Sequence, residues 1–255
     1  MMKQQYSIEE AWKSMLYDLY NKGTENHKDD SLVVENIGGH YFIKNPINFS
    51  PLALNVNSKT FIHFIKKGAF DIQEYPIKGE ALADYVDSIN QEDKIFIHTP
   101  EKFTADKDCH KPFVYTYPER LQALFCSNTK GEIDCINQLM VIVDRLKNNL
   151  GSNRAIAVLY QAGLDSQEID IPCLQLVQAL VRDNLLVLSV FFRSNDIYGA
   201  FPSNMLFITN LGLMIQNEIN KEYPDVKFHG IDYHVSSMHY YKTDEDAVKS
   251  IMQKK

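Results

Sequence analysis

The chain has 255 residues, of which 45% are hydrophobic and 23% charged, with a formal net charge of −7. This content can bury a sizeable core in a single domain spanning residues 1–255, and the acidic balance excludes a broad basic face for a nucleic-acid polymer. The N-terminus MMKQQYSIEEAW has no apolar leader core and no run of ~18 apolar residues occurs, so a cytoplasmic protein without a membrane partner is expected.

In chain order, Ser7 and Glu10 make a capping box, and Ile8, Ala11, Trp12, Met15, Leu16 and Leu19 form one apolar stripe that ends before Gly23. This predicts the first helix. The polar stretch Thr24 to Asp30 reads as a mobile loop, followed by strands over Leu32–Ile37 and Tyr41–Ile43 with Gly38-Gly39 as their hairpin turn. Residues 78–89 suit a helix and 90–112 an irregular connection. Glu132 to Asn149 carries Ile133, Ile136, Leu139, Met140, Val143 and Leu146 on one face, which predicts a long amphipathic helix stopping at Gly151. Met205 to Ile219 is apolar nearly all round and predicts a buried helix.

The most informative stretch is Ile171 to Asn204. Apolar, β-rich runs 173–181 and 185–192 flank Arg182-Asp183-Asn184 and read as an antiparallel hairpin. A turn centred near Asp183 sets Cys173 opposite Arg193 or Ser194, and directly opposed residues lie only ~5 Å apart. A guanidinium at that range stabilises a thiolate and offers a fork to a phosphate. Against this, a lone strand cysteine is commonly a core residue and a strand-end arginine a solvated one, so on pattern alone both readings stand. The four cysteines, Cys109, Cys126, Cys135 and Cys173, show no CxxC spacing and no partnering histidine pair. Neither a disulfide framework nor a metal site is therefore expected.

The motifs CLQLVQ from Cys173, FRSND at 192–196 and Asn204 beyond them resemble the nucleotide-binding core of thymidylate synthases and the related pyrimidine nucleotide hydroxymethylases, closest to the short archaeal type. NPINF at 45–49, FVYTYPERL at 113–121, SNRAIAV at 152–158 and MHYYKTDED at 238–246 follow in family order. The spacings agree as well: 19 residues from Arg154 to Cys173, 20 from Cys173 to Arg193 and 11 from Arg193 to Asn204. The likeness is specific in the second half of the chain and weak before residue 110.

The resemblance implies an α+β fold of the thymidylate synthase type, a mixed β-sheet flanked by helices, with sheets packed across a homodimer interface. It implies transfer of a one-carbon unit from 5,10-methylenetetrahydrofolate, or a related reduced pterin, to C5 of a pyrimidine nucleoside 5′-monophosphate. Cys173 matches the nucleophile that attacks C6, and Arg193 and Ser194 match phosphate ligands. Asp196 and Asn204 match base-contacting residues, and Asn204 favours dUMP because cytosine-specific relatives often carry an Asp there. His239 and Tyr241 match the HxY pair at the sugar 3′-hydroxyl, with His234 the alternative if residues 221–233 are shifted. Arg154 matches one of two consecutive arginines that reach a partner subunit's phosphate, the other position being Asn153. Lys28 takes the place of an N-terminal-loop arginine. Tyr117 matches an aromatic near the proton-handling waters, with Pro118 where the family usually has Gly. Glu80 is the candidate general acid/base or else a surface glutamate. The chain ends 14 residues after Tyr241, without the folate-covering tail of long bacterial members. Hydroxymethylation of dUMP, dCMP or CMP, or nucleotide binding without turnover, are the alternative readings.

Overall fold

A computed structural model describes residues 2–47, 117–122, 124–127, 133–168 and 171–253. The expected helix at 78–89, the connection at 90–112 and Glu80 lie outside these residues. Side chains are also not described at 118, 119, 122, 124–127 and 133–135.

The first helix, α1 (Ile8–Lys22), forms as the sequence predicts, with Ser7 Oγ accepting from Glu10 N at 3.1 Å and Glu10 Oε2 accepting from Tyr6 N at 2.8 Å. Its six stripe residues are buried. Gly23 ends it without left-handed backbone; a Cβ there would lie 2.4 Å from Leu19 O and 2.5 Å from a Val34 methyl.

The expected mobile loop at Thr24–Asp30 is instead strand β2 (Thr24–Lys28), paired antiparallel to β3 (Ser31–Ile43) around a turn in which Asp29 has φ 51°. As an edge strand exposed along most of its length, it has no apolar alternation to betray it. The predicted Gly38-Gly39 hairpin is also absent. Strand β3 runs straight through, because β9 (Lys227–Tyr241) pairs with it on both sides of the glycines, from Val33↔Tyr241 to Ile43↔Ile231. Gly38 takes φ +79° within that strand, and a Cβ on Gly39 would come within 2.8 Å of a Val235 methyl.

A short helix α2 (Tyr117–Gln122) carries Pro118 in its first turn, where its missing N–H costs nothing. The long helix expected from Glu132 divides. Its first residues form β5 (Ile133–Ile136) against β4 (Leu124–Ser127), and α3 (Gln138–Asn148) begins at Asn137, whose side chain accepts from Leu139 N and Met140 N. The Asn137 side chain satisfies two of the amides left without an i−4 carbonyl where the helix begins.

Strand β6 (Ile156–Val158) and a one-turn helix α4 (Ala162–Asp165) precede the hairpin β7 (Leu174–Arg182) and β8 (Leu185–Asp196). The turn is the two residues Asp183 and Asn184, with φ 50° and 59°, the left-handed pair that twists with the strands. Helix α5 (Phe201–Asn220) crosses over from β8 to the parallel β9, followed by a 3-10 turn and α6 (Glu245–Gln253). As its all-round apolar sequence predicts, α5 is largely buried.

The result is a mixed seven-stranded sheet in the order β1 (Lys3–Gln5), β3, β9, β8, β7, β6, with β2 also on β3. Helices α1 and α5 pack on its central strands, and a continuous core runs through Trp12, Phe192, Phe201, Ile215 and Tyr233. No described helix is long and apolar enough to cross a membrane.

Candidate active site

The hairpin does set Cys173 opposite Arg193, but by two offsetting features. A two-residue turn pairs Arg182 with Leu185, and continued in step that register would bring Cys173 opposite Ser194. A bulge between Leu174 and Leu176 shifts it by one, so that Leu174 pairs with Phe192 and Arg193 N donates to Cys173 O at 2.9 Å. Arg193 also donates from Nε to Pro172 O at 3.0 Å and from Nη2 to Ile171 O at 2.7 Å. These bonds clamp the approach to Cys173 and leave further guanidinium N–H groups for an anion. Cys173 is half-buried at the edge of the core.

Tyr117 lies beside it, its hydroxyl accepting from Leu174 N at 3.3 Å while its ring packs on Phe192 and Phe207. Ser194 is buried, and its hydroxyl has no hydrogen-bond partner among the described residues. A buried hydroxyl without a partner is costly, so this one calls for a further hydrogen-bonding group.

Sequence reasoning passed over Asn195 and Tyr233. Asn195 Nδ2 donates to the Tyr233 hydroxyl at 2.8 Å, and Asn195 Oδ1 accepts from Asn204 Nδ2 at 3.0 Å. All three are buried, so this network fixes the Asn204 amide, which keeps one N–H and its carbonyl for another partner. Burial raises the Tyr233 phenol far above its ordinary value, so its proton stays on. Asn195 was visible within the FRSND run; Tyr233, 38 residues away, is brought in only by the β8–β9 pairing.

Asp196 pairs with His239 across β8 and β9, and its Oδ1 accepts from Tyr198 N and Gly199 N, both at 3.1 Å. Burial pushes its carboxyl up to about 6, against the lowering effect of the Gly199 amide. His239 is buried, and its Nε2 lies 3.0 Å from Lys28 Nζ. An ammonium can only donate, so Nε2 accepts and Nδ1 carries the ring proton; Nδ1 has no hydrogen-bond partner among the described residues. Burial, followed by the Lys28 charge, lowers the imidazole to about 4. Tyr241 stands edge-on to His239 at 5.6 Å between centroids, with Lys28 Nζ 5.6 Å from its own ring. The β2–β3 hairpin thus delivers Lys28 to the HxY pair.

The described residues bring together Cys173, Arg193 and Tyr117; further along β8 and β9 stand Ser194, Asp196, His239 and Tyr241, with Lys28 of β2 against His239 and Asn204 of α5 held to Asn195. Arg154 is not gathered with them. It is exposed before β6, its backbone N donating to Ser152 Oγ at 3.1 Å, and Asn153 O accepts from Gln178 at 2.7 Å. His234, the alternative to His239, faces Asp232 instead.

A family model described as "Thymidylate synthase" matches residues 55–254. A protein of Methanothermobacter marburgensis named "Putative thymidylate synthase" is 27% identical over 242 residues, covering 93% of this chain and 94% of its own. Proteins of the same name from Methanothermobacter thermautotrophicus and Methanocaldococcus jannaschii are similar too. The first is 27% identical over 249 residues, 94% of this chain and 97% of its own. The second is 33% identical over 142 residues, 54% of this chain and 60% of its own.

Proposed function

Because the chain belongs to the thymidylate synthase family and is a methyltransferase-type enzyme, we propose that it converts dUMP to dTMP with 5,10-methylenetetrahydrofolate, or a related reduced pterin, as the one-carbon donor. The observation that carries this reading is the bulge-set opposition of Cys173 and Arg193, next to the unpartnered hydroxyl of Ser194.

Pyrimidine C5 is a weak nucleophile. Attack of the Cys173 thiolate on C6 forms an S–C bond and moves the C5–C6 π electrons toward C5 and O4, giving an enolate whose C5 can attack an electrophilic carbon. The reduced folate would supply that carbon, whose bond to the donor nitrogen breaks once the carbon is on C5, and, for a methyl product, the hydride, leaving as the dihydro form. Loss of the C5 proton and return of electrons from the S–C6 bond then free the thiolate. Arg193 and the Ser194 hydroxyl bind the 5′-phosphate, and the positive charge of Arg193 favours the thiolate. Asn204, oriented by Asn195 and Tyr233, reads the uracil edge, one N–H toward O4 and the carbonyl toward N3–H. Asp196 contacts the base, His239 and Tyr241 bind the 3′-hydroxyl, and Lys28 adds charge beside them. Tyr117 lines the water path, and Glu80 serves as the general acid/base.

The working enzyme is a cytoplasmic homodimer. Phe191, 40% exposed on the sheet face away from α1 and α5, suits sheet-to-sheet packing. The exposed Arg154 then reaches the nucleotide phosphate of the partner subunit.

The test is mass analysis of nucleotides after incubation with dUMP, dCMP, UMP or CMP plus methylenetetrahydrofolate. A methyl gain on dUMP is the expected result. A hydroxymethyl gain on any of the four would make the protein a hydroxymethylase, and nucleotide binding without product would leave a binding protein on an enzyme's fold.

A further inference from the structure

On the sheet face opposite Tyr233, His40, Asp232 and His234 bring their donor atoms close together. His40 and His234 are directly paired across β3 and β9, and Asp232 projects from the same face of β9 two residues before His234. His40 Nε2 lies 2.7 Å from Asp232 Oδ1, and His234 Nε2 lies 3.0 Å from Asp232 Oδ2. The two rings stack with centroids 3.9 Å apart, and all three donor atoms fall within 4.8 Å of one another. Ser189 of β8, paired with Asp232, donates to Asp232 Oδ2 at 2.9 Å and fixes the carboxylate from the far side.

We propose that His40, Asp232 and His234 form a binding site for one divalent first-row transition metal ion. Two imidazoles and a carboxylate are the donor set such ions prefer over Mg2+ or Ca2+, and three protein ligands leave positions for water or a further ligand. At ordinary metal–ligand lengths, tetrahedral neighbours stand ~3.3 Å apart, so the two imidazole–carboxylate spacings of 2.7 and 3.0 Å need to open by only tenths of an ångström, and one of the stacked rings must turn for both Nε2 lone pairs to meet one ion. The ion would replace the protons now shared between each Nε2 and the carboxylate. All three residues are half-buried in this chain, and His234 is registered with Phe191, so the site would lie at the sheet-to-sheet seam proposed above, where water is further excluded. Bound there, the ion would tie β3 to β9 behind the strand that carries Tyr233 and His239. The sequence hides this set because His40 and Asp232 are 192 residues apart.

The experiment is equilibrium dialysis of tag-free, full-length protein against Zn2+, with absorption spectra of the Co2+-loaded form and melting curves with and without Zn2+. One Zn2+ per chain, a raised Tm with Zn2+, and Co2+ d–d bands without thiolate charge transfer are expected. Losing His40 or His234 as a ligand should weaken binding by more than the ~10–100-fold typical of an outer-sphere partner. Cys173→Ser should leave binding unchanged. If His234→Ala fails to fold, His40→Gln, on the neighbouring strand, gives the same reading. No saturable binding, binding that survives loss of both histidines, or binding abolished by Cys173→Ser overturns the proposal.

Discussion

At Asp196 and His239, cross-strand partners, burial drives two titrations in opposite directions. The carboxyl rises from 3.8 to about 6, so its favourable contribution to stability is complete below 3.8 and is lost as pH rises through 6. The imidazole falls from 6.5 to about 4, so its contribution is complete above 6.5 and is lost as pH falls through 4. Each is worth on the order of 3 kcal/mol, and the windows overlap, so they largely cancel in the native protein. Asp196→Asn should therefore unmask stability that rises between roughly pH 4 and 6, and His239→Gln the reverse slope, both read by denaturant unfolding at stepped pH. Parallel, flat profiles would show that neither shift exists. Cys173→Ser should abolish turnover while nucleotide affinity, followed by calorimetry, changes by less than ~10-fold, because the phosphate and sugar contacts assigned above remain. Retained turnover would remove Cys173 from the chemistry.

Between elements, a close seam joins α5 to β9. A Cβ on Gly212 would lie 2.4–2.7 Å from three atoms of the Phe228 ring, which is itself buried and cannot swing away. Gly212→Ala should cost ~1–3 kcal/mol by overpacking, measured by thermal or denaturant unfolding. Adding Phe228→Leu should recover part of that loss, since the smaller side chain makes room for the new methyl. Gly163→Ala meets nothing within 4 Å and is the control expected to be neutral. The seam bears on the site because α5 carries Asn204 and β9 carries Tyr233, the two ends of the network through Asn195.

For the whole molecule, the exposed position of Arg154 makes subunit exchange the informative experiment. Arg154→Ala and Cys173→Ser should each be inactive alone. Mixed after reversible dissociation, they should regain activity, because one site of the hybrid dimer pairs an intact Cys173 with an intact Arg154 from its partner. Failure to complement, with exchange verified by mass spectrometry, would mean that Arg154 serves its own chain or no site at all. The mixed sheet supports this reach, since β6, the edge strand beside Arg154, lies four strands from β3 and the hairpin that delivers Lys28.

The amino-acid sequence by itself determined the elements whose signals are local: the capped stripe of α1, the all-round apolar α5 and the existence of the β7–β8 hairpin, whose turn the structure narrows from Arg182–Asn184 to the left-handed pair Asp183-Asn184. It also carried the cysteine, arginine and HxY motifs, because each is a short run on one strand or turn. Tertiary structure decided the rest. Whether Gly38-Gly39 turned or ran straight depended on β9 being present along both halves of β3, a partner nearly 200 residues away. Strand β2 had no apolar alternation to announce it and exists through its ladder to β3. The Asn195–Tyr233–Asn204 network and the His40–Asp232–His234 cluster arise from parallel and antiparallel registers that no single segment encodes, since a sheet's pairings are fixed by what each strand finds beside it.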